Sequence, residues 1–223
     1  MRVLLRTAAA ICFFNCLAVF SLAQDAPSPN LALRVGAGNS ISMKHFSQEE
    51  TALNIPSSSF ISIGLSTNIL MRNNKSLFVG LEAQALNYYP TINEKTDLSY
   101  LSLLLGTTSR FEVAQRVCLK YTGGVSLSTL ADVTSSVSGY HAYSGGPWKN
   151  VNLGLFNHLQ ILFSGEKAKD RNVDYGFGFD FGVNGVAVYK NASYPSYLRH
   201  NGFLQYGINL NMNYNFRRRF AAD

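Results

Sequence analysis

Between Val173 and Val183 every odd position is apolar: Val173, Tyr175, Phe177, Phe179, Phe181 and Val183. Every even position is small or polar: Asp174, Gly176, Gly178, Asp180 and Gly182. A strict period of two marks a strand with two unlike faces. One face carries three Phe in succession and has to be covered by protein or by lipid. In a water-soluble sheet such a face points into a core. In a barrel surrounded by lipid it points outward, and small or polar groups line the interior. This stretch alone fits both arrangements, so the rest of the chain decides.

The N-terminus bears on the compartment. Arg2 and Arg6 precede an almost wholly small or apolar run, Thr7 to Phe20, and Ser21-Leu22-Ala23 places small residues at −3 and −1 of a cut before Gln24. That pattern reads as a secretory signal peptide over residues 1–23 rather than a spanning helix. Residues 24–30, with Pro27 and Pro29, read as a short linker. The chain carries 19 Lys and Arg against 13 Asp and Glu, a net charge of +6; losing Arg2 and Arg6 leaves +4. That is mildly basic, and before Arg217-Arg218-Arg219 no dense basic block marks a nucleic-acid footprint. Cys12 and Cys16 leave with the signal, so Cys118 stays alone and no internal disulfide framework is expected. After residue 24 no apolar run is long enough for a spanning helix.

The same alternation recurs along the chain. Strands are expected at about Leu31–Lys44, Ser59–Met71, Leu77–Tyr89, Ser99–Phe111, Val117–Ala131, Val151–Phe163, Val173–Tyr189 and Gly202–Phe216. Asn39 and Asn157 interrupt the apolar phase, and beyond Gly185 the phase slips, as at a β-bulge. The connections alternate. Ser47–Ser58, Pro90–Leu98, Asp132–Lys149 and Asn191–Asn201 read as polar loops, while Arg72–Ser76, Glu112–Arg116 and Gly165–Asn172 read as turns. Short turns on the side of the termini and longer loops on the other are the layout of an outer-membrane barrel. Each strand reaches the roughly 9–11 residues needed to cross the hydrocarbon at a tilt. In mid-strand no Asp, Glu, Lys or Arg falls on the apolar phase; Arg34, Glu82, Arg110, Lys120, Asp174 and Asp180 all fall on the polar one. A charge facing lipid at mid-depth costs about 2–4 kcal/mol, so this sorting favours apolar-out. Tyr89, Phe111, Phe163, Tyr189, Tyr214 and Phe216 sit near strand ends, where interfacial girdles are expected.

With a signal ending Leu-Ala-Gln, eight alternating strands and an aromatic-ended last strand, Leu31 to Phe216 resembles the small outer-membrane β-barrels of Gram-negative bacteria. The likeness is to the OmpX/OmpA-like barrel group and the PorT-like barrels of the Bacteroidota. It rests on pattern rather than a diagnostic motif. It implies an all-β, eight-stranded antiparallel up-and-down transmembrane barrel over residues 31–216, with residues 217–223 as a tail. It also implies outer-membrane lipid and the barrel-assembly machinery as partners, the latter reading Tyr214 and Phe216. Chains of that group usually end at an aromatic, whereas here seven residues follow Phe216.

An eight-stranded barrel is narrow enough to be filled by its own side chains. Arg34, Glu82, Arg110, Lys120, His158, Asp174 and Asp180 are therefore expected to form a hydrogen-bonded plug with the lumen Asn and Gln; a narrow solute path is the alternative. Some barrels of this compartment modify lipids, which takes a nucleophile, a His and an acid close together. His45, His141 and His200 fall at strand ends or in loops on the expected outer side, where a loop residue such as Ser144 could approach one, although nothing in the sequence shows that it does. No Gly-x-Ser-x-Gly, His-x-x-x-His or Cys-x-x-Cys motif is present. The plainer reading of each His is a surface or lumen-filling role, and of Cys118 a small lumen residue. Tyr140, Tyr143, Trp148, Tyr194 and Tyr197 lie in loops rich in Ser, Gly and Asn, a composition suited to contact with a partner; anchoring at the outer leaflet is the second reading. The expectation is a non-enzymatic outer-membrane barrel, without metal or cofactor and without affinity for nucleic acid, that acts structurally or through its extracellular loops. The alternatives are an outer-membrane lipid-modifying enzyme and a secreted soluble barrel holding an apolar ligand.

Overall fold

The computed structural model describes residues 30–42, 58–71, 75–91, 94–135, 151–164, 173–187 and 203–215. They form eight strands: β1 (Asn30–Ser42), β2 (Ser58–Met71), β3 (Lys75–Thr91), β4 (Glu94–Ala114), β5 (Val117–Ser135), β6 (Val151–Ser164), β7 (Val173–Ala187) and β8 (Phe203–Asn215). Each pairs antiparallel with its sequence neighbours, and β1 pairs with β8 from Asn30↔Asn215 to Ser42↔Phe203, so the sheet closes into a barrel. Closure leaves no free edge around the common ring of the eight strands.

The two faces sort as the alternation requires. Ile61, Ile63 and Leu65 of β2, Phe177, Phe179 and Phe181 of β7, and Ile208 and Leu210 of β8 are exposed on the outside. Arg34, Ser62, Gln84, Lys120, His158 and Asn211 are buried in the lumen. Asn157 keeps the outward phase of β6, and the interruption is reconciled locally: Tyr121 Oη donates to Asn157 Oδ1 at 2.5 Å. The slip beyond Gly185 is a real bulge. Leu155 faces Val183 but Leu153 faces Val186, so β7 carries the extra residue.

Two expected boundaries are corrected. Pro90–Leu98 is not a loop: β3 runs to Thr91 and β4 starts at Glu94. Asp132–Ser135 belongs to β5, where Leu98 pairs with Val133 and Thr96 with Ser135. Pro90 fits because the register shifts between Tyr88 and Thr91, and a bulge spares the ladder bond that proline cannot make. β3, β4 and β5 therefore continue past the common ring as a three-stranded extension. On β3 the pairing with β2 ends at Asn87, and on β5 the pairing with β6 ends at Thr129.

In this extension the faces invert. Tyr88, Leu98, Tyr100 and Leu130 point inward and pack with Leu86, Phe60 and Phe203 of the adjoining ring in one apolar cluster. Lys95, Asp97 and Asp132 point outward and are exposed. Lower down, Phe78, Leu104 and Phe156 form a second, smaller lumen cluster.

Candidate functional site

The lumen is where charged side chains gather. Arg34 reaches from β1 and forms ion pairs with Glu82 of β3 and with Asp180 of β7, the latter at 3.2 Å. Its guanidinium also lies against the His158 ring of β6, and His158 Nδ1 is 2.5 Å from Asp180 Oδ1. One cation thus serves two carboxylates on opposite sides of the barrel. Room for this comes from Gly36, where a Cβ would stand 3.1 Å from Asp180 Oδ2 and 2.9 Å from Ser62 Oγ. The His158 ring also packs on Phe156, with ring centroids 4.9 Å apart, so Arg34, Asp180 and Phe156 together hold it in place.

The alternating Asn residues of β8 tie this cluster to the rest of the wall. Asn209 Nδ2 donates to Asp180 Oδ1 at 2.6 Å, and Asn211 donates to Asn209. Gln160 Nε2 of β6 donates to Asn211 Oδ1 at 2.9 Å. Asn213 Oδ1 accepts from Lys120 Nζ of β5 at 3.3 Å and from Asn30 Nδ2 of β1 at 3.4 Å. Asn215 Nδ2 donates to Asp174 Oδ2 at 2.9 Å. The last strand is therefore fastened by side chains to β1, β5, β6 and β7.

At the end of the barrel where β1 begins and β8 ends, a second cluster forms around Asp174. Arg110 pairs with it at 3.5 Å, and Ser164 Oγ donates to it at 2.7 Å. Arg110 Nη2 also donates to Cys118 Sγ at 2.9 Å. The seven expected lumen residues thus lie in two charged clusters, with Lys120 between them.

Sequence reasoning missed the apolar cluster at the loop end. Tyr88 and Phe203 meet edge to face with ring centroids 5.2 Å apart. Beneath them Gln84 and Gln205 exchange amide hydrogen bonds at 3.3 and 3.2 Å across the lumen. Between this layer and Arg34 lies a cavity of about 50 Å³, with Ser62, Ser102, Ser126 and Glu82 in its walls. That is room for a few waters. The signal for the cluster was present as apolar residues on the lumen phase, at Phe60, Leu86, Tyr88 and Tyr100. Tyr140, Tyr143, Trp148, Tyr194 and Tyr197 lie outside the described residues, as do His45, His141, His200, Phe216 and the signal segment.

No protein-family profile matches the sequence, and no curated protein sequence matches it either. Solved structures do. Neisserial surface protein A (NspA) superposes with a TM-score of 0.52 at 14% identity, covering 84% of this chain and 96% of its own. The fold is that of the small eight-stranded outer-membrane barrels. The Yersinia pestis attachment invasion locus protein Ail gives a TM-score of 0.43 at 10% identity over 84% of this chain and 99% of its own. The outer membrane enzyme PagL gives 0.39 at 11% identity over 82% and 97%.

Proposed function

We propose that this chain is an outer-membrane protein, exported on the signal peptide of residues 1–23, whose side-chain-filled barrel holds the β3–β4–β5 extension and the neighbouring loops on the cell surface for contact with a partner. The supporting observation is the inversion of faces along β3, β4 and β5. In the ring the outside is apolar and the inside mostly polar. In the extension the inside is mostly apolar, Thr96 excepted, and the outside carries Lys95, Asp97 and Asp132. A strand that leaves lipid for water requires such a change, because the burial preference of each face reverses. A wholly water-soluble barrel would keep one sense throughout. The charged and aromatic side chains that fill the lumen favour a contact role over transport. His158, held by Asp180 and Arg34, is engaged in the lumen network and gives no support to an enzyme.

Leu81 and Asp97 are both exposed, but only Leu81 belongs to the apolar belt. In a Cys118→Ala background, cysteines placed at these two positions report on lipid directly. On intact cells a water-soluble maleimide is expected to label Asp97→Cys and to spare Leu81→Cys until the protein is denatured. Equal labelling of both would contradict the proposal, and turnover of lipid by the purified protein would contradict its non-enzymatic part.

A further inference from the structure

A cavity of about 10 Å³ lies in the lower lumen, with Lys120, Gln160, Asn211, Arg34 and His158 among its walls. A space of that size admits one water-sized molecule. Two of its walls make opposite demands. Lys120 is 3% exposed and its ammonium has three protons to place, one of them on Asn213 Oδ1. Gln160 is 5% exposed, and its Oε1 is buried without a hydrogen-bond partner.

The orientation of Gln160 follows from its neighbours. Its Nε2 donates to Asn211, Asn211 donates to Asn209, and Asn209 donates to Asp180. All three amides point their protons toward the carboxylate. Turning Gln160 over would set its oxygen against the Asn211 oxygen. The line of donors therefore leaves a bare acceptor at its far end, on the cavity that Lys120 also lines. An occupant has to accept from Lys120, donate to Gln160 Oε1 and fit the space of one water. A halide accepts without donating. A metal cation is repelled by Lys120 and Arg34. Water does both.

We propose that one internal water binds between Lys120 Nζ and Gln160 Oε1, completing an unbroken hydrogen-bond line from Lys120 through Gln160, Asn211 and Asn209 to Asp180. The line joins two unbalanced regions. Lys120, Arg110 and Asp174 leave a surplus cation, with Arg34 also facing the cavity; Arg34, Glu82 and Asp180 leave a surplus anion. The water site gives the surplus cation of the first a bonded route to the surplus anion of the second. It holds whether or not the barrel sits in a membrane.

The test is a double-mutant cycle on the full-length mature chain folded in detergent, using Lys120→Met, Gln160→Met and both together, read as the temperature at which the fold is lost. Each single change is expected to lower that temperature, and the double change to lower it no further than the worse single one. Additive shifts would overturn the proposal. Should a single variant fail to fold, a crystal structure of the unaltered protein showing ordered waters decides. A solvent peak within hydrogen-bond reach of both atoms is expected; a direct Lys120–Gln160 bond, or an ion in that place, would overturn it.

Discussion

Arg34 carries more of the lumen's electrostatics than any neighbour, because Glu82 and Asp180 both depend on it. Removing one partner of a buried ion pair costs about 3–5 kcal/mol, since the charge left behind stays out of water. Arg34→Met is therefore expected to lower unfolding stability in detergent by about that much, as read from urea titration. Arg34→Lys should recover only part of it, because an ammonium lacks the planar fork that reaches two acceptors. By contrast, the exposed Lys95–Asp97 pair, at 3.0 Å, should contribute less than about 1 kcal/mol. At this scale the alternation told which face each charge occupies. It could not tell which charges meet, since Arg34 and Asp180 stand 146 positions apart in sequence and face each other only after closure.

Among the strands, β7 shows why a glycine-rich face can be structural. A Cβ at Gly178 would lie 2.2 Å from the Leu159 carbonyl oxygen, a backbone atom of β6 that cannot move aside. At Gly64 the nearest atom, the Leu81 carbonyl oxygen, would lie 3.4 Å away, an ordinary contact. Gly178→Val should abolish the folded, fast-migrating form on an unheated gel, and Gly64→Ala should keep it. Wild-type mobility for Gly178→Val would contradict the close approach of β6 and β7. All eight strands and the β7 bulge were readable from period-two patterning. The β3–β4 extension was not. Pro90, Glu94, Lys95 and Asp97 carry the composition of a loop, while Thr96, Leu98 and Tyr100 keep the inward phase of a strand. Composition misled there because outward residues that meet water look like turn residues. The lumen cluster of Phe60, Tyr88 and Phe203 stayed hidden for the complementary reason: these aromatics stand on the lumen phase, where the rest of the ring places polar groups.

For the molecule as a whole, the sense of the barrel is what matters: apolar outside, polar inside, reversed at the extension. Phe179 is 61% exposed at the centre of the β7 stripe, so Phe179→Lys places a charge where lipid is expected. That should cost about 2–4 kcal/mol of stability in bilayers if the site is near mid-depth, and much less than that if the outside meets water. Folding titrations in lipid vesicles distinguish the two. The most direct measurement is cell fractionation combined with a gel of heated and unheated samples. Recovery of the mature chain in the outer membrane, with a mobility that changes on boiling, is the predicted result. A chain that stays in solution without detergent and migrates identically before and after boiling would mean that the Phe and Leu stripes form a water-shielded core, contradicting the account.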